Sequence, residues 1–155
     1  MRPYRESRLS QAVVILAALI VAGCASVPLA DPSHDSASKT FTVPPGKVLI
    51  YVVRNGGYIS GAYQVFTVGL DGLDHGKLAD RTYFVFTVDP GAHSIRAAGE
   101  NQEQVRIEAT AGGIYFVGLR SSIGIVTARV NASLLSADEG KTAVLASKMA
   151  AEAPR

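Results

Sequence analysis

From Phe41 onward the chain is written in short apolar runs separated by turn residues at regular intervals, a pattern that admits little besides an all-β sandwich or barrel. The runs are Lys47–Arg54, Tyr63–Leu70, Leu73–Leu78, Thr82–Val88, His93–Gly99, Gln104–Thr110, Ile114–Ser121 and Val126–Leu134. Asp71-Gly72 between two of them is a two-residue hairpin signal. Asp89-Pro90-Gly91 pre-sets a tight turn, because proline fixes φ and glycine admits φ > 0.

Alternation assigns faces. Val105, Ile107 and Ala109 are expected to point inward, with Gln104, Arg106 and Glu108 in water. Phe84, Phe86 and Val88 should share the core face of their strand, leaving Tyr83 and Val85 on the other. Val48 to Val53 is apolar throughout and therefore predicts a central strand covered on both sides. Ser136-Ala137-Asp138-Glu139 spells a capping box and opens a helix expected to reach about Ala151. Val144, Leu145 and Met149 would form its apolar stripe, and Gly140 weakens it by about 1 kcal/mol relative to alanine. The expected fold is mainly β: an antiparallel sandwich of about 7–8 strands with a C-terminal helix.

The N-terminus carries a different message. Arg2, Arg5 and Arg8 precede the unbroken apolar stretch Ala12 to Ala22, the layout of a secretory signal peptide rather than of a membrane span, which needs about 20 apolar residues. Val21-Ala22-Gly23-Cys24 resembles a bacterial lipoprotein processing site. That resemblance implies cleavage after Gly23, a diacylglyceryl group on the Cys24 thiol and acylation of the new amino group. Two or three chains suffice for a stable anchor. It also brings a sorting rule under which Ala25, in place of aspartate, favours the outer membrane, with the periplasmic face expected and the inner membrane less so. The expected domains are a leader over 1–23, a lipidated N-terminus and flexible tether over 24–40, and the sandwich with its helix over 41–155. Such a tether would reach roughly 20–25 Å.

Without Arg2, Arg5, Arg8 and Glu6, the 15 basic and 13 acidic residues fall to 12 and 12, a formal net charge of zero. No basic footprint remains for nucleic acid. Cys24 is the only cysteine, so no disulfide framework is expected.

Catalytic look-alikes fail on context. Gly140-Lys141-Thr142 has Leu135 where the first glycine of a phosphate-binding loop should stand, and no strand-to-helix glycine loop precedes it. Ser36-Ala37-Ser38-Lys39 lies in the expected tether, without an oriented base. Asp71, Asp74, His75 and Asp80 include one histidine and no cysteine, and read as turn and solvated strand-edge residues rather than a metal site. His93, at a strand start, is expected to satisfy a turn carbonyl. No catalytic residue, metal or cofactor is therefore expected. Asn55, Gly56, Gly57, Tyr58 and Gly61 form a glycine-rich loop with an aromatic, the expected contact segment of a binding module; Asp71, Gly72, Pro90, Gly91 and His93 are expected to be structural turn residues.

The series Tyr51-Val52-Val53-Arg54, Asn55–Gly61, Leu70-Asp71-Gly72, Thr82 to Phe86, Val88 to His93 and Ala111 to Val117 resembles a family of bacterial lipoproteins known as domain of unknown function 2846. The likeness runs from about Val43 to Ala150 and implies an antiparallel immunoglobulin- or transthyretin-like β-sandwich and a lipoprotein habitat, with no catalytic residue to carry over. Function is thus expected to be that of a non-enzymatic, lipid-anchored envelope module that binds or scaffolds an envelope protein or polymer. The alternative is a carbohydrate- or peptidoglycan-binding module using Tyr58, Tyr63 or Tyr83, and an enzyme comes third.

Overall fold

In the computed structural model, which describes residues 27–57 and 64–154, nine strands form two sheets with a helix at each end of the described chain. The elements are α1 (Pro32–Ser38), β1 (Val48–Gly57), β2 (Phe66–Leu70), β3 (Leu73–Leu78), β4 (Thr82–Val88), β5 (Gly91–Ala98), β6 (Gln102–Ala109), β7 (Ile114–Ile123), β8 (Ala128–Leu135), α2 (Ala137–Leu145) and β9 (Lys148–Met149). One sheet has the order β8-β7-β1-β4-β9 and the other β3-β2-β5-β6. Most pairings are antiparallel, but β1 runs parallel to β7 and β4 parallel to β9.

Period-two side-chain alternation divides the apolar residues between two cores. Val48, Ile50, Val52, Phe84 and Phe86 point between the sheets, where Ile95, Ile107 and Val117 meet them. Leu49, Tyr51, Val53 and Tyr83 point outward under α2, with Phe116, Ala143 and Val144. β1 is accordingly covered on both faces, as its continuous apolar text predicts. On β6, Ile107 and Ala109 are buried while Gln104, Arg106 and Glu108 are exposed.

The two chain ends depart from expectation. The stretch 27–40 is not a free tether. Asp31 caps α1 by accepting from the Ser33 amide, with Pro32 in the first turn, and Leu29 bridges Ala150. At the other end α2 stops at Leu145 rather than about Ala151. Lys148 and Met149 leave the helix because β4 offers an unpaired edge: the Lys148 amide donates to Arg81 O and the Ala150 amide to Tyr83 O. Leu145 is 58% exposed, so it is not part of the helix stripe; Gly140, Ala143 and Val144 are. A Cβ on Gly140 would lie 2.1 Å from Phe116 Cγ, so the glycine allows α2 to sit on that ring.

Candidate functional site

The described part of the glycine-rich loop lies at one end of the sandwich. Asn55, Gly56 and Gly57 finish β1, and the Gly56 amide donates to Asp80 Oδ1 at 3.1 Å. Tyr58 and Gly61 of that loop, like Cys24, lie outside the described residues. Arg54 is buried beneath this end. Its guanidinium donates to Gln64 O and Leu78 O and stacks on Phe66 at 4.5 Å. Burial lowers its pKa while the Asp80 charge opposes that shift. Asn55 also lines a groove of about 420 Å³ between α2 and the sheet, floored by Val53, Gly118 and Leu135 and rimmed by Arg120 and Glu139.

The β7–β8 hairpin projects beyond the same end, and its tip inverts the usual turn chemistry. Ile123, Ile125 and Val126 are 69%, 92% and 86% exposed. They are held rather than loose. The Glu100 carboxylate, from the β5–β6 turn of the opposite sheet, accepts from the amides of Ile125, Val126 and Thr127 at 3.0, 2.9 and 2.8 Å. These three bonds hold its pKa below the usual carboxylate range. The neighbouring Asn101 accepts from the Val130 amide at 2.8 Å and donates to the Val130 carbonyl at 2.9 Å, so the same turn also grips the edge of β8. In the sequence, 122–125 is the interval between the runs Ile114–Ser121 and Val126–Leu134. The signal was there: isoleucine and valine stand where Asn, Asp or Ser would ordinarily serve a turn.

The predicted structural turns form a second clamp. Asp71 and Gly72 take φ of 50° and 85°, the left-handed pair that a two-residue hairpin requires. Asp71 accepts from the Ser94 amide at 2.8 Å and from His93 Nδ1 at 2.6 Å, and His93 Nε2 donates to Asp89 O at 2.8 Å. With both ring nitrogens donating, the imidazolium is favoured. The Asp71 hydrogen bond raises the His93 pKa, against a smaller effect of burial. Pro90 and Gly91 turn the chain from one sheet to the other, Gly91 at φ 145°.

The four residues weighed as metal ligands are drawn to separate partners. Asp71 holds His93, Asp74 pairs with Arg96, and Asp80 holds Gly56. His75 is not a solvated edge residue; it is buried against Phe86 and bonded to Glu152 Oε2 at 2.8 Å.

Tyr83, a candidate for sugar contact, is fully buried. It belongs to a polar seal that fastens α1 to the sheet. Its hydroxyl donates to Asp35 Oδ1 at 2.9 Å and lies 2.6 Å from Ser38 Oγ, while Tyr51 donates to Ser38 O at 2.5 Å. Asp35 also accepts from the Met149 amide and from Lys39. Burial pushes the Tyr51 pKa up to about 12, and that of Tyr83 up as well, so both phenols are donors at neutral pH.

No family model matches the chain. It is 27% identical over 143 residues to an uncharacterized protein of Haemophilus influenzae, an alignment that covers 91% of this chain and 84% of the relative. Among the described residues no helix is long and apolar enough to cross a membrane.

Proposed function

We propose that this chain is a lipid-anchored, non-enzymatic envelope module of the outer membrane, seated close against the bilayer with its binding surface held at the far end. The observation that carries this reading is the way the N-terminal segment joins the fold. The Ala151 amide donates to Pro28 O and the Ala30 amide to Met149 O. Val27 packs on the inter-sheet core. Only three peptide units then separate Val27 from Cys24, a span of at most about 11 Å, in place of the longer reach of a free tether.

Direction follows from pairing. β9 runs parallel to β4, and Leu29 opposes Ala150 in antiparallel sense. Tracing back from Leu29 to Val27 therefore leads away from the end where Ile123 and Gly57 lie. The residues suited to acid–base chemistry support a structural assignment, since Asp35, Asp71, His75 and His93 each hold one element to another.

Metabolic labelling with a palmitate analogue tests the anchor: wild type should take the label and Cys24→Ala should not. Equal label on both contradicts the proposal. In a host with the aspartate sorting rule, Ala25→Asp should move the protein from outer- to inner-membrane fractions.

A further inference from the structure

We infer that the β7–β8 tip is a preformed plug that enters an apolar socket on a second protein, with Glu100 as its built-in hydrogen-bond acceptor. Exposure alone does not carry this. An ordinary surface loop lets water satisfy its amides, whereas here three consecutive amides, those of Ile125, Val126 and Thr127, are bonded to one carboxylate. A donor that loses water without gaining a partner is strongly disfavoured. This loop keeps these three bonds when its surroundings become dry, so a socket need not supply acceptors for these three amides and can meet Ile123, Ile125 and Val126 with apolar contact.

Two further features fit that use. A Cβ on Gly124 would lie 2.3 Å from Glu100 Oε2 and 2.1 Å from Thr127 O, so glycine is what lets the carboxylate reach the loop. Asn101 occupies both backbone groups of Val130 at the base of the tip, which removes that part of the β8 edge from strand addition. The contact is therefore made by side chains. Arg129, exposed at the base opposite Ser122, suits a socket with an acidic rim.

The occupant is a protein rather than the anchoring bilayer because of where the segment from Val27 to Ala30 joins the fold. This step rests on the anchor proposed above. Val27 enters along the β9 edge, and the tip belongs to the opposite edge of the same five-stranded sheet. Through the registers, Val27 stands near the level of Phe86, Ile50 and Tyr115, eight residues along β7 from Ile123. At about 3.3 Å per residue the separation along the strands is roughly 26 Å. With the anchor beside Val27, the tip stands at the opposite edge and the opposite end of the sheet from the membrane attachment.

The test uses the full-length chain in cells, with a photoreactive phenylalanine analogue in place of Ile125 and, as control, in place of the exposed Ser133. The expected result is a crosslink from position 125 to one identified protein other than this chain, mapped to an apolar hollow. It should be absent from position 133 and fall at least tenfold with Val126→Asp at an unchanged melting temperature. Crosslinks to lipid only, to a second copy only, equally from both positions, or undiminished by Val126→Asp overturn the inference. Palmitate-analogue labelling in the same cells separates the two claims. Label on Cys24 with no crosslink removes the plug and leaves the anchor, whereas a crosslink with no label removes the anchor and leaves the plug.

Discussion

The β2–β3 and β7–β8 hairpins are each pinned to another part of the sandwich by one carboxylate, the first to the neighbouring strand β5 and the second to the other sheet, and they obtain it differently. The first supplies its own. Asp71 occupies the turn and reaches out to His93 and the Ser94 amide of β5. The second borrows Glu100 from the other sheet, across 25 to 27 positions of chain. A turn that uses its own side chain for fastening must keep a polar residue there. A turn fastened from outside leaves its own positions open, and here they hold Ile123, Ile125 and Val126. The borrowed clamp is thus what permits an apolar surface to be both ordered and displayed.

Removing what the two hairpins share should have the largest effect. Phe86→Ala empties part of the inter-sheet core and should cost about 3–5 kcal/mol, lowering the denaturation midpoint of both hairpins together; separate transitions would show that the clamps act without a common core. Asp71→Ala comes next. After discounting for solvent screening at a site still 45% exposed, the loss should be about 1 kcal/mol.

That loss should depend on pH. The His93 pKa is raised above its ordinary 6.5, so its contribution is complete below about 6.5 and disappears as pH rises through the raised value. Burial raises the Asp71 pKa, but the hydrogen bonds from His93 and Ser94 and the His93 charge outweigh it and leave the pKa below 3.8. Its contribution is complete above about 3.8 and disappears as pH falls through the lowered value. Wild type minus Asp71→Ala should therefore be largest between these limits; a difference that grows steadily into alkaline pH contradicts the clamp. Smallest of all, Ile125→Ser should change stability by no more than about 0.5 kcal/mol, checked by urea denaturation, since the side chain touches little of its own fold.

The same contrast explains what was legible beforehand. Asp71-Gly72, the Ser136–Glu139 capping box, the faces of β4 and β6 and the doubly covered β1 all rest on near neighbours or on period-two alternation, and each is present. His93 bonding a turn carbonyl was legible for the same local reason. What escaped depends on residues far apart in sequence. Nothing near Glu100 announces that it will serve Ile125, and nothing near Lys148 says that β4 has an edge to offer. α1 is the exception, because Asp31-Pro32 is a local helix start hidden in a Ser- and Ala-rich stretch that reads as a tether. The alternation that put Tyr83 off the inter-sheet core was sound, but the second core under α1 and α2 buries that other face too. Of the candidate loop, Asn55 lines the groove beside α2, while the exposed apolar residues Ile123, Ile125 and Val126 belong to the neighbouring hairpin.

Amide hydrogen exchange of Ile125, Val126 and Thr127 tests the borrowed clamp most directly. In wild type these three amides should exchange slowly despite their exposure. In Glu100→Ala they should exchange at the rate of an open loop, while the amides of Val52 and Ile107 in the core stay protected. The clamp is also expected to weaken as pH falls below about 4.5 through the depressed Glu100 pKa, because stability that depends on a lowered carboxylate is present above its ordinary value and lost on protonation. Fast exchange of all three in wild type, or protection unchanged by Glu100→Ala, would contradict the account.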